Sequence, residues 1–139
     1  MNESGYTPKN LKFGKEGRDK LINGIKTISD AVKSTLGPSG QTVLIESPNH
    51  THGITVTKDG VTVAKAVSLI DPVENLAVRM MKEASERTAS SAGDGTTTAI
   101  VLTEALVLKG MELIDDTNKT EVLRDMVKIT EDVVANLKK

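Results

Sequence analysis

Leu21, Ile25, Ile28, Val32 and Leu36 recur at steps of three and four along the first part of the chain, and Ile22 widens the stripe. This spacing predicts a long amphipathic helix from Lys15 onward, stopped by Gly37-Pro38. Thr42–Ile45 and Ile54–Thr57 are short β-branched runs on either side of a polar loop, 47–53, and read as a hairpin of strands. Lys58-Asp59-Gly60 ends the second strand, and a brief helix is expected over 61–67 although its β-branched content works against it. Asp71-Pro72-Val73-Glu74 is a helix start, with an Asp cap, Pro in the first turn and Glu placed to bond back to the cap. That helix should run to about Ser91 with Val73, Ala77, Met80 and Ala84 on one face. After Gly95, residues 99–108 are apolar nearly all round apart from Thr103 and Glu104, which predicts a helix buried between neighbours, with Gly110 as its ending signal. Asn118-Lys119-Thr120-Glu121 resembles a capping box before a last helix striped by Val122, Met126, Ile129 and Val133. Residues 1–14 are polar and read as an N-terminal arm in which Lys12-Phe13 could pair as an edge strand. The expected fold class is mainly α with a small β-hairpin.

Composition narrows the function. The 139 residues suffice for one compact domain, and 18 basic against 19 acidic side chains leave a net charge of -1. That balance offers no electrostatic footprint for nucleic acid or an anionic membrane. There is no cysteine, hence no disulfide or thiolate metal site, and no apolar run approaches a membrane span. A cytoplasmic location is expected. Tyr6 and Phe13 are the only aromatic residues, so the core must be aliphatic.

Candidate chemistry centres on Gly93-Asp94-Gly95-Thr96-Thr97-Thr98-Ala99. Its glycines let the backbone approach an anion, amides at a helix start point toward phosphate oxygens, and one carboxylate can take a hard cation. A Gly-Asp-Gly before Thr is more often an ordinary helix-start loop, but three successive hydroxyls exceed what capping needs. Gly37-Pro38-Ser39-Gly40 is foremost a turn, and functionally a second backbone wall. Asp59 in the Lys58-Asp59-Gly60 turn becomes a base or an orienting group for water only if it folds beside Asp94. His50 and His52 lack a third ligand nearby and take no assigned role.

Lys12-Phe13-Gly14, Thr35-Leu36-Gly37-Pro38, Thr57-Lys58-Asp59-Gly60-Val61 and Ala92–Ala99, in that order, resemble a GroEL-type (group I) chaperonin. The resemblance runs from about Leu11 to the C-terminus and implies that residues 15–139 are the N-terminal part of the equatorial ATP-binding domain. It implies ATP, Mg2+ and K+ as cofactors. Asp94 would bind Mg2+, and Gly95, Thr96, Thr97 and Thr98 would cradle the phosphates. Thr35, Leu36, Gly37 and Pro38 would line the opposite side of the nucleotide, together with Lys58. Thr35 and Lys58, through carbonyl oxygens, and Thr97 would resemble the family's potassium site. Asp59 would be the catalytic residue that orients the attacking water. Implied partners are other chaperonin subunits in a ring, with unfolded clients and a co-chaperonin meeting domains outside these residues.

The resemblance also has gaps. Ser39 and Gln41 stand where positive residues are common, and the 47–53 loop is slightly long, which suggests a divergent member of viral or unusual lineage. The intermediate and apical domains and the later equatorial segments have no counterpart here, so complete ATPase activity from this chain alone is not expected. The preferred expectation is an excerpt of a longer ATP-hydrolysing subunit. The alternatives are a stand-alone nucleotide- or metal-binding module and a non-catalytic assembly fragment that inserts into or caps a chaperonin ring.

Overall fold

The computed structural model describes residues 10–46, 53–114 and 118–138. Five helices and one hairpin follow in the order α1 (Gly14–Lys33), β1 (Val43–Glu46), β2 (Ile54–Thr57), α2 (Gly60–Ala66), α3 (Pro72–Ala92), α4 (Thr96–Ile114) and α5 (Lys119–Leu137). The mainly α class with a small hairpin is therefore observed. Most of the 47–53 loop, with His50 and His52, and residues 1–9 of the arm lie outside the described residues.

The stripe on α1 organises the core. Ile28 and Val32 are fully buried and meet Val63 and Ala64 of α2, Val78 and Met81 of α3 and Ile100 of α4. Burying a large aliphatic side chain contributes about 1.5–3 kcal/mol, so this cluster supplies much of the drive to fold. Helices α1 and α3 approach closely because Gly24 has no side chain: a β-carbon there would lie 2.3 Å from the Glu74 carbonyl oxygen. Asp71 caps α3 by accepting from the amides of Val73 and Glu74, and it also pairs with Lys20 of α1. Strands β1 and β2 are antiparallel, with Val43 opposite Thr57 and Glu46 opposite Ile54. A lone two-stranded hairpin is marginal in water, and Val43 and Ile45 anchor this one by packing on the core.

Several sequence expectations are corrected. Lys12 and Phe13 form no strand; Phe13 is the N-cap of α1, and the Lys12 carbonyl folds back against Gly17. Helix α1 ends at Lys33, before Gly37-Pro38, and Leu36 lies exposed in the following turn. Gly110 lies inside α4 rather than ending it, buried against Met126, where a glycine lets α5 approach. On α3 the buried face is Ala77, Val78, Met81 and Ser85, whereas Met80 is largely exposed. Glu74 does not bond back to its cap; it accepts from the Asn23 amide group at 2.9 Å. Nor is α4 buried all round, since Leu102, Leu106 and Leu113 are about half exposed.

Candidate functional site

Three bends separated by long stretches of sequence meet at Gly60. A β-carbon on this glycine would lie 2.3 Å from Thr97 Oγ1 and 3.0 Å from Thr35 Oγ1, so the turn after α1, the start of α2 and the start of α4 touch one another. Each bend is built by its own local chemistry. The first is a run of tight turns in which Leu36 donates to Lys33, Gly40 to Gly37 and Gln41 to Ser34, with Gly37 at φ 75°. Gly40 allows the Thr35 carbonyl to turn inward, because a side chain there would lie 2.3 Å from that oxygen.

The second bend is set by Asp59, which caps α2. Its carboxylate accepts from the amides of Val61 at 3.2 Å and Thr62 at 3.0 Å and from the Thr62 hydroxyl at 2.6 Å. The Thr62 hydroxyl foremost, then the amides, hold the Asp59 carboxyl below its ordinary range despite some desolvation. A depressed carboxylate is a weak base, but Oδ1 carries one of those bonds and keeps a lone pair to orient a water. At the far end of α2, Lys82 donates to the Lys65 carbonyl at 2.7 Å, and burial lowers the lysine's pKa.

The third bend joins α3 to α4. Gly93 ends α3 in the left-handed conformation, at φ 77°, and Gly95 has φ 91°, a region that disfavours side chains. Asp94 between them is exposed, and its Oδ1 accepts from the Gly95 amide at 2.6 Å. Helices α2, α3 and α5 begin with Asp59, Asp71 and Asn118 accepting from their first amides. Before α4 stands Gly95, and among the described residues no side chain accepts from the amides of Thr96, Thr97 or Thr98. Those amides, at the positive end of the helix dipole, suit an anion. Thr96 is buried, Thr97 half-buried and Thr98 exposed.

Of the residues singled out from sequence, Thr35, Gly60, Thr97 and, one position away, Asp59 and Thr96 are thus brought together. Leu36, Gly37, Pro38 and Lys58 lie exposed on the adjoining turns. The donor set fits a magnesium nucleotide. Among the described residues no group of three or more acidic or His side chains could hold a metal alone, but Mg2+ needs only one or two carboxylates when phosphates supply further oxygens. For K+, the expected donors are the carbonyl oxygens of Thr35 and Lys58, hard oxygens of the kind potassium takes, with Thr97, whose Oγ1 lies beside Gly60.

Concavities also lie elsewhere. An apolar one of about 370 Å³ runs between α1, α3 and α4, and a polar one of about 460 Å³ lies beside Lys20, Asn23 and Glu74. At the meeting point of the bends Gly60 and Thr96 are buried and Thr35 and Thr97 half-buried, while Asp59 and Asp94 are exposed beside them. Neither the contact at Gly60 nor the pairing of Glu104 is evident from the sequence alone. A small residue beside a capping Asp was the available signal for Gly60. For Glu104 it was the one acid in the apolar run 99–108.

Residues 28–139 match the model of the TCP-1/cpn60 chaperonin family. Among solved structures, the chain is similar to the chaperonin gp146 from the bacteriophage EL 2 (Pseudomonas aeruginosa), crystallised in the presence of ATP-BeFx. For crystal form II the identity is 34% and the TM-score 0.76, covering 89% of this chain and 21% of that one. Form I gives 35% identity and a TM-score of 0.75, over 89% and 22%. A group III chaperonin in the open state is 28% identical with a TM-score of 0.68, over 81% of this chain and 22% of the other. This chain spans about a fifth of the length of those structures. The matched family is broader than the group I branch that the motifs resemble. With four-fifths of its length matched to that family's model, the chain belongs to the TCP-1/cpn60 chaperonin family.

Proposed function

We propose that these residues are part of the equatorial ATP-binding domain of a chaperonin subunit, which assembles in a ring with other subunits and uses ATP hydrolysis to drive assisted protein folding. The meeting of Thr35, Gly60 and Thr97 carries this reading, because it gathers an anion-suited helix start, a capping aspartate and a glycine turn at one place. The ATP-BeFx used with the phage chaperonin gp146 supports a nucleotide as the ligand.

In this reading the amides and hydroxyls of Gly95, Thr96, Thr97 and Thr98 hold the phosphates, and Asp94 takes the Mg2+. Thr35, Leu36, Gly37 and Pro38 line the other wall with Lys58. Oxygens of Thr35, Lys58 and Thr97 take K+. The metal ions neutralise charge on the phosphates, and the protein's part is positioning. Asp59, fixed by three hydrogen bonds and held ionised, orients the water. Unfolded clients and a co-chaperonin meet further domains of a longer subunit, and the assembly works in the cytoplasm.

Calorimetric titration with Mg-ATP tests the reading. Binding by the wild-type chain, lost or sharply weakened in Asp94→Ala, is expected. No binding by either protein overturns the nucleotide site and favours a non-catalytic assembly piece.

A further inference from the structure

Besides the packing of Ile100 on Ile28 and Val32, helix α4 meets the end of α1 and its turn at two polar places. One is the meeting of Thr35 and Thr97 at Gly60. The other is an ion pair between Lys33, the last residue of α1, and Glu104. Glu104 lies seven residues after Thr97, which is about two turns and about 10 Å along the same face of α4. Its side chain is only 7% exposed, one turn beyond the buried Ile100, whereas that of Lys33 is 39% exposed.

We propose that the Lys33–Glu104 pair is a positioning strut for the nucleotide site: it sets the spacing and angle between the turn that carries Thr35 and the helix start that carries Thr97. The proposal rests on the nucleotide reading above and gives neither residue a contact with the nucleotide. The aliphatic packing of Ile100 on Ile28 and Val32 brings the two helices together, and two separated polar contacts on either side of it fix the register of one helix end on the other. A buried carboxylate is unfavourable unless paired, and an apolar pair at the same place would commonly stabilise the fold as well or better. What a hydrogen-bonded charge pair adds is a single register, where aliphatic surfaces can slide.

The neighbourhood supports this division of labour. Ser29, one turn before Lys33, is fully buried with its hydroxyl unpartnered, so it provides no second polar tie. Asp30 lies 3.8 Å from Lys33 but is itself exposed, and reaches the ammonium from within α1. The bond to Glu104 is the largest influence raising the Lys33 pKa, ahead of the opposing desolvation and the weaker effect of Asp30.

The test uses the 139-residue chain with Glu104→Leu, Glu104→Gln and the exchange Lys33→Glu/Glu104→Lys. Three readouts are taken: the urea midpoint, the Mg-ATP dissociation constant, and nuclear Overhauser contacts from the Gly60 α-protons to the Thr35 and Thr97 side chains. Because Lys33 is 39% exposed and lies beside Asp30, Glu104→Leu strands no buried charge, and the expected result is a midpoint little changed, weaker Overhauser contacts and Mg-ATP affinity reduced about tenfold or more. The charge exchange restores contacts and affinity in part. Should the leucine variant fail to fold, Glu104→Gln, which keeps size and a hydrogen bond to Lys33, is expected to retain the contacts. Wild-type contacts and affinity in Glu104→Leu would overturn the strut, as would an affinity loss that merely follows the midpoint or lost contacts in a folded glutamine variant. If even the wild-type chain binds no Mg-ATP, the nucleotide reading fails and the Overhauser contacts alone decide the strut.

Discussion

Gly60 and Thr97 are in contact, so closely that a β-carbon on the glycine would lie 2.3 Å from the threonine Oγ1. The start of α2 and the start of α4 therefore meet only because position 60 has no side chain. In Gly60→Ala, the Thr97 hydroxyl can turn aside, which limits the stability loss to about 1–2 kcal/mol. Its position is what the proposed site needs. Mg-ATP binding measured by calorimetry should fall much further than the urea midpoint, and an alanine variant with wild-type affinity would refute the contact's importance.

Two other glycines give opposite signs for the same substitution. Within a helix, alanine is favoured over glycine by about 1 kcal/mol. At Gly24 the added carbon would lie 2.3 Å from the Glu74 carbonyl oxygen, which is backbone and cannot yield without moving α3. Gly24→Ala should therefore destabilise by about 2 kcal/mol net, overpacking outweighing propensity. At Gly110 the obstacle is Met126 Sδ at 3.2 Å, on a flexible side chain. Gly110→Ala should be neutral or stabilising by up to about 0.5 kcal/mol. Urea unfolding of both variants checks the contrast.

Ser29 presents the simplest stability prediction. Its hydroxyl is the buried side-chain polar atom left without a hydrogen-bond partner among the described residues. Leaving a polar group buried and unsatisfied costs about 1–3 kcal/mol, and alanine is also the better helix former. Ser29→Ala should raise the thermal midpoint, and a clear decrease would show that the hydroxyl is partnered by water.

Acid should weaken the fold through two caps. Asp71 is held below its ordinary pKa of 3.8 first by Lys20 and then by amides of α3, and Asp59 by the Thr62 hydroxyl and the amides of α2. A carboxyl with a lower pKa folded than unfolded contributes stability above its unfolded pKa and loses it as pH falls through the folded one. The loss should thus begin near pH 4 and deepen below it. Asparagine caps about as well without titrating, so Asp71→Asn should flatten the slope of urea midpoint against pH between 5 and 2.5. An unaltered slope would show that the Lys20–Asp71 pair is not populated in solution.

What could be read in the sequence was local. The three-and-four spacing of Ile25, Ile28 and Val32 and the caps Asp71 and Asn118 specify helices through neighbours in the chain, and these helices are present. The glycine bends were visible for the same reason. Hidden features depend on another element. Gly110 reads as a stop until Met126 is placed against it, and Met80 reads as core until Val78 and Met81 are seen to face the other helices. Glu104 reads only as a polar interruption of the apolar run 99–108 until Lys33 is set opposite. The three bends could be identified singly, but their convergence needed Gly60, whose role is to be small.

Chemical-shift mapping on the isotopically labelled chain tests the central claim most directly. Addition of Mg-ATP should move the backbone amides of residues 35–37, 39–40, 58–60 and 94–98 together, with one common dissociation constant, while the concavity around Lys20 and Glu74 stays unchanged. Shifts confined to one of the three bends, or centred on that concavity, would contradict a shared triphosphate site.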